Sequence, residues 1–294
     1  MTISVRITGG LGNQLFKFFH GVRLSELFQT NFEIDKTWYL DPRDRRNLVS
    51  SREFDIDFFP EIAKIAAIEW RSPEIQRRYG QVMRRMPYSV QYRVGYMTDS
   101  NRDLFMSKRC CPRFVDGSFE NLDFLPDAST ISALLSLEHN TEWLEPKIRE
   151  VRTNDPLAIH VRRGDFLNLP GMYDVVNREY YLKALRLVKE KNGAQPIHLF
   201  SDEPNLAIEF LGKEFPIDRI ISQGPNVKTA EVFQLLSNYS SMIGANSTFS
   251  WWAGYVSHLN GVSNFCSMPE KFLGPGHDDP ASRLRHPGVT VISS

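Results

Sequence analysis

Leu157-Ala158-Ile159-His160-Val161-Arg162-Arg163-Gly164-Asp165 is an apolar run that breaks off in two arginines, a glycine and a carboxylate. A short run of this kind reads as a buried strand, over 157–161, whose last residues leave a sheet. The pattern then repeats: helix over 179–191, strand over 197–201, helix over 205–212, strand over 219–222, helix over 229–237, strand over 242–245, and a helix from Ser250 to about Leu259. Strands that alternate with helices through short connections lie parallel, with helices on both faces. Ligands of such sheets sit outside the carboxyl ends of the strands. Three polar clusters fall at those ends: His160 to Asp165, Ser201-Asp202, and Asn246 to Phe249.

The first half is less regular. Ile3, Val5 and Ile7 alternate with polar residues and predict a strand that runs into Gly9-Gly10-Leu11-Gly12-Asn13-Gln14. A helix is expected over Gln14 to Phe28, a strand over 31–35, and a long connection over 41–60. Between Glu74 and Met86, Ile75, Tyr79, Val82, Met83 and Met86 share one helical face, while Arg77, Arg78, Arg84 and Arg85 cluster roughly opposite. Residues 114–118 suit a strand, and 128–152 a helix with a break near Pro146. With 294 residues and roughly one domain per 100–200 residues, two domains are expected, 1–152 and 153–294.

A composition of 41% hydrophobic and 24% charged residues supports packed cores. Lys+Arg and Asp+Glu both count 35, so no global field holds nucleic acid, and any phosphate must be gripped locally. Between Arg71 and Arg113, however, ten Lys/Arg stand against three Asp/Glu. The arginine face at 77, 78, 84 and 85 is either a contact for anionic membrane or simply a solvated face. Cys110 and Cys111 are adjacent and Cys266 stands apart, which is no disulfide or zinc framework. The chain starts without the charged and apolar regions of a signal peptide and contains no 18-residue apolar run, so a cytoplasmic protein is expected, with any membrane contact peripheral.

Each cluster has two readings. Arg162 and Arg163 could clamp a diphosphate, since forked guanidinium donors match phosphate oxygens, or they could pair with acidic neighbours while Asp165 caps a turn. The glycine turn could offer backbone amides to an anion or sugar, or could be a tight turn with Asn13 as helix cap. Its Gln14 stands where a dinucleotide fingerprint needs glycine, which disfavours a nicotinamide cofactor. Asn246-Ser247-Thr248-Phe249-Ser250-Trp251-Trp252 combines hydroxyls at a helix start with aromatics that face a sugar or fill the core. Asp202 could accept from guanine or mark a helix start.

In order and spacing, these four clusters resemble the bacterial alpha-1,2-fucosyltransferases. The segments Glu179-Tyr180-Tyr181-Leu182-Lys183-Ala184 and Met268-Pro269-Glu270-Lys271-Phe272 resemble them as well. The likeness covers 1–28 and 156–273. It implies a GT-B type fold of two Rossmann-like domains facing each other across a cleft, acceptor side first and nucleotide sugar second. It further implies GDP-fucose as donor, a galactose-terminated glycan as acceptor, inversion, and no metal or other cofactor. Arg162 would stabilise the leaving GDP and Arg163 position the loop. His160 would lie against the nucleotide, Asp202 would read guanine, and Asn246, Ser247, Thr248 and Phe249 would close round the diphosphate. Gly10, Gly12, Asn13 and Gln14 would approach from the other domain, and Asp165 is the candidate base. His20 and Val232 depart from the family pattern. The competing readings are a transferase using another GDP-sugar such as GDP-mannose, a non-catalytic nucleotide- or glycan-binding protein, and a phosphate-handling hydrolase, which would lack a nucleophile or metal constellation.

Overall fold

The computed structural model describes residues 2–41, 52–68, 72–137, 141–163, 176–222, 224 and 226–293. The chain divides into two compact units, Met1–Leu137 and Glu138–Ser294. This division lies ahead of the 152/153 boundary read from the sequence. The helix Leu144–Asn154 goes with the second unit, where it packs against the helix Thr229–Leu236. Pro146 sits in its first turn, where the missing N–H costs nothing, so the expected break falls just ahead of it, between the helices Ala128–Leu134 and Leu144–Asn154. No helix among the described residues is long and apolar enough to cross a membrane.

The first unit is built on a five-stranded parallel sheet ordered β3-β2-β1-β5-β4: β1 Thr2–Arg6, β2 Asn31–Asp35, β3 Ala67–Ile68, β4 Tyr96–Met97 and β5 Phe114–Val115. Val5 pairs with Ile34 on one side and Val115 on the other. Because β1 is central and covered on both faces, Ser4 and Arg6 are buried along with Ile3, Val5 and Ile7. Gly9, at φ +86°, turns the chain into a helix that begins at Leu11, earlier than the predicted Gln14. At Gly21 that helix passes so near β1 that a Cβ would stand 2.8 Å from Val5 Cγ2.

The helix Pro73–Arg85 forms as expected but is turned the other way. It buries Gln76, Gly80 and Met83 and leaves Ile75 and Val82 exposed. Arg77 reaches the buried Asp41 at 3.3 Å, and Arg84 reaches the buried Asp116 at 2.6 Å. The magnitudes explain the rotation. A buried carboxylate stripped of its cation costs about 3–5 kcal/mol, against about 1.5–3 kcal/mol for an exposed aliphatic side chain. The outward four-arginine face is therefore corrected: Arg77 and Arg84 serve the unit's own carboxylates, and Arg78 pairs with Glu74 at 2.8 Å.

The second unit carries a six-stranded parallel sheet ordered β11-β10-β9-β6-β7-β8: β6 Leu157–Val161, β7 Ile197–Ser201, β8 Ile217–Ile221, β9 Ser241–Ile243, β10 Phe265–Pro269 and β11 Thr290–Ile292. Its helices Arg178–Asn192, Pro204–Leu211, Thr229–Leu236 and Thr248–Leu259 match those read from the sequence within a few residues. Leu157, Ile159, Tyr180, Leu199 and Ile243 share one core. The strand order reverses at β6: β7 and β8 extend to one side, β9 to β11 to the other. The topological switch point thus lies between β6 and β9, where such sheets bind ligands.

Candidate active site

Every residue of β6 is buried, so the strand is held rigidly and delivers Arg162 and Arg163 at its carboxyl end. Val161 pairs with Ser201 across β6 and β7, which brings the next residues, Arg162 and Asp202, side by side. Arg162 Nε stands 3.5 Å from Asp202 Oδ2, and the Arg163 backbone N–H points to Asp202 Oδ1 at 3.4 Å. The two arginines then diverge. The Arg163 guanidinium lies over the Phe210 ring, 3.9 Å from its centroid, and packs on the helix Pro204–Leu211.

On the other side of the switch point, Ile159 pairs with Ile243, and β9 continues through Gly244 to Asn246 into the helix Thr248–Leu259. Ser247 is the N-cap, its Oγ accepting the Phe249 N–H at 3.3 Å. Buried Asn246 donates to the Phe272 carbonyl at 3.1 Å. The His160 ring lies 5.8 Å from that of Phe249, so the ends of β6 and β9 meet through these side chains. His160 is buried, and its Nδ1 has no hydrogen-bond partner among the described residues. Burial, with the Arg162 charge beside it, pushes its pKa down to about 3, so the ring is neutral at pH 7.

Two residues that the sequence reading left without a role fix this geometry. The Tyr181 hydroxyl donates to the His160 carbonyl at 3.1 Å, and the Tyr180 hydroxyl to the Gly244 carbonyl at 2.7 Å. Neighbours on one helix, they tie down the two strand ends that flank the switch point. Both tryptophans are core: Trp251 and Trp252 are buried, and Trp251 Nε1 donates to the Leu284 carbonyl at 2.7 Å. Phe249 is the aromatic of that cluster left at the site. Gly164 and Asp165 lie outside the described residues.

In the first unit, Gly10, Gly12, Asn13 and Gln14 sit where β1 passes into its helix, at the carboxyl edge of that sheet. Gln14 spends all four hydrogen-bonding positions inside the unit. It donates to the carbonyls of Gly9 (3.1 Å) and Glu53 (2.7 Å) and accepts from the amides of Asp55 (2.9 Å) and Ile56 (3.2 Å). It therefore braces the glycine turn. Gly10 lies under Arg52, whose Nη1 would be 3.5 Å from a Cβ there.

Next to this turn is a buried charge network that the sequence reading missed. Asp116, following β5, takes Arg84 at 2.6 Å, Arg6 at 3.5 Å and the Tyr96 hydroxyl. Burial alone would raise the Asp116 pKa; the two arginines outweigh it and hold the carboxyl below its ordinary range. Lys17 is buried with its Nζ on Thr8 Oγ1 at 2.6 Å, and burial lowers its pKa. Charged residues at the ends of two paired apolar strands were the available signal.

One of the two departures has a visible structural role. His20 stacks on Phe119 at 4.1 Å and is pushed by burial down to about 3, so it packs as an aromatic ring. Beside Val232, the carboxylate of Glu231 caps its helix by accepting the Lys228 N–H at 2.8 Å.

Each unit is thus a parallel α/β sheet, and the second gathers an arginine, a carboxylate and a helix N-terminus at its switch point, where such sheets bind ligands. Residues 135–269 match the model of Glycosyl transferase family 11. O-antigen biosynthesis glycosyltransferase WbnK of Escherichia coli is 24% identical over 278 residues, which cover 85% of this chain and 89% of that protein. Alpha-1,2-colitosyltransferase of Escherichia coli is 24% identical over 284 residues, 88% of each chain. The crystal structure of fucosyltransferase NodZ from Bradyrhizobium superposes with a TM-score of 0.51 over 86% of this chain and 92% of that one, at 14% identity, which shows a shared fold.

Proposed function

We propose that this glycosyltransferase moves L-fucose from GDP-fucose to the 2-hydroxyl of a terminal galactose on an oligosaccharide or surface polysaccharide, with inversion and without a metal ion. The observation that carries the reading is the meeting of Arg162 and Asp202 at the switch point of the second unit, beside the N-terminus of the helix Thr248–Leu259. The match of residues 135–269 to the family 11 model and a relative named for alpha-1,2 transfer support it. We place the reaction in the cytoplasm.

In this reading the acceptor oxygen attacks the sugar carbon as the bond from that carbon to the diphosphate breaks. The electron pair leaves on GDP, whose growing charge Arg162 and the amides after Ser247 neutralise; preorganised donors of this kind contribute about 10²–10³-fold each. The acceptor proton passes to a carboxylate, for which Asp165 is proposed; general-base help is typically about 10²–10⁴-fold. His160 and Phe249 offer an uncharged wall to the nucleotide, Asp202 accepts from guanine, and Thr248 and Asn246 complete the diphosphate shell. Arg163, anchored on Phe210, orients the loop. The first unit takes the acceptor side, with Gly10, Gly12 and Asn13 at the ligand and Gln14 holding their turn.

The colitosyltransferase relative favours one second reading, in which the donor sugar is colitose, the 3-deoxy form of fucose. Assaying GDP-fucose, GDP-colitose and GDP-mannose side by side tests both. Preference for GDP-fucose supports the first reading, preference for another donor removes it, and donor binding without turnover on any galactoside makes the protein a binding module.

A further inference from the structure

Among the described residues, six of the twelve exposed large apolar side chains fall between Ile75 and Val94. They sit on two successive helices, Pro73–Arg85 and Tyr88–Val94, with Met86 between them. Ile75 is 61% exposed, Tyr88 53% and Val82 50%, with Met86, Val90 and Val94 also in the open. At 3.6 residues per turn, Ile75, Val82 and Met86 fall in one row, and exposed Arg78 and Arg85 in the row beside it. Arg93 adds an exposed cation from the second helix. Glu74 supplies the one carboxylate between 74 and 94, and it is paired with Arg78.

We propose that this face, with Ile75, Val82, Met86 and Tyr88 flanked by Arg78, Arg85 and Arg93, docks on an anionic lipid surface. Charge decides between occupants. A second copy related by a two-fold axis would set each arginine row against its own image, and an apolar protein groove would leave the cations unused. An anionic bilayer takes both rows, with aliphatic tips at the acyl boundary and guanidinium groups among the headgroup phosphates. The surface lies outside the site described above, and the proposal does not depend on the donor sugar.

The test is co-sedimentation of the full chain with vesicles of phosphatidylcholine alone and of equal parts phosphatidylcholine and phosphatidylglycerol. The expected result is binding to the anionic vesicles only. Arg78→Gln with Arg85→Gln should lower the partition roughly thirtyfold at low salt, and Ile75→Asn with Val82→Asn roughly tenfold or more. Both double variants should keep the wild-type urea midpoint and rate of donor hydrolysis. Wild-type protein that stays in the supernatant, or double variants that bind as well as wild type, would overturn the proposal. So would self-association in sedimentation velocity, abolished by the apolar double variant, without vesicle binding.

Discussion

Arg162 Nε stands 3.5 Å from Asp202 Oδ2, near enough for an ion pair and too far for a strong hydrogen bond. Both side chains keep some solvent exposure, 16% and 32%, so this pair orients the guanidinium without fully burying it. A diphosphate arriving at the end of β6 meets this loose pair.

Arg162→Ala should therefore lower kcat by about 10²–10³-fold while leaving the unfolding free energy within about 1 kcal/mol of wild type, as is usual for a partly exposed ion pair. Arg162→Lys should recover only part of the loss, because it keeps the charge without the fork. Steady-state kinetics and unfolding of both variants check this; near-normal kcat in the alanine variant would remove the clamp.

Asp202→Asn separates two duties of the same carboxylate. If it reads guanine, wild-type enzyme is inhibited far better by GDP than by IDP, which lacks the exocyclic amine, and the preference shrinks by about 1–3 kcal/mol, or roughly 5–150-fold, in the variant. Inhibition constants for the two nucleotides measure it. An unchanged preference with reduced kcat would show that Asp202 only orients Arg162.

The second half was legible because its chemistry is local. β6, β7 and β9 are short buried runs that lead into polar residues, and the spacing alone placed Arg162, Asp202 and Ser247 at one sheet edge. The direction of Arg163 was not legible, since it depends on Phe210, a helix away in sequence. Nor was the rotation of Pro73–Arg85, which is set by Asp41 and Asp116, carboxylates distant in sequence whose burial no local pattern reveals. The two-residue strands β3 and β4 carry too few side chains to show a period. β10 and β11 lack a regular helix between them, so the alternation that exposed the other strands stops.

Stability should fall with acid. Burial pushes His20 and His160 down to about 3 and His286 to about 4, helped by Arg102, Arg162 and His258 respectively. Below about pH 6.5 the unfolded chain takes protons that the native one refuses, so stability present above that pH is lost as it drops toward 3–4. Each histidine then costs about 1.4 kcal/mol per pH unit, and all three together roughly 3–4 kcal/mol at about pH 5.5. Urea midpoints at about pH 7.5 and 5.5 should differ accordingly, and His20→Phe should lessen the difference by about a third. Equal midpoints would contradict the neutral buried state.

Gln14→Leu should act on the fold of the first unit. It orphans two amides and two carbonyls around the glycine turn, at about 1–3 kcal/mol for each that water cannot reach. A fall of about 3 kcal/mol or more in unfolding free energy is expected. Full stability with a weakened substrate KM would instead make Gln14 a direct ligand.

The most direct measurement is the product itself. The enzyme is incubated with a terminal beta-galactoside and GDP-fucose, GDP-colitose or GDP-mannose in turn, and donor, linkage and anomeric configuration are read by NMR. An alpha-1,2-linked fucosyl galactoside is expected, formed fastest from GDP-fucose and without added metal. Faster transfer from another GDP-sugar, a different linkage, or no transfer would contradict it.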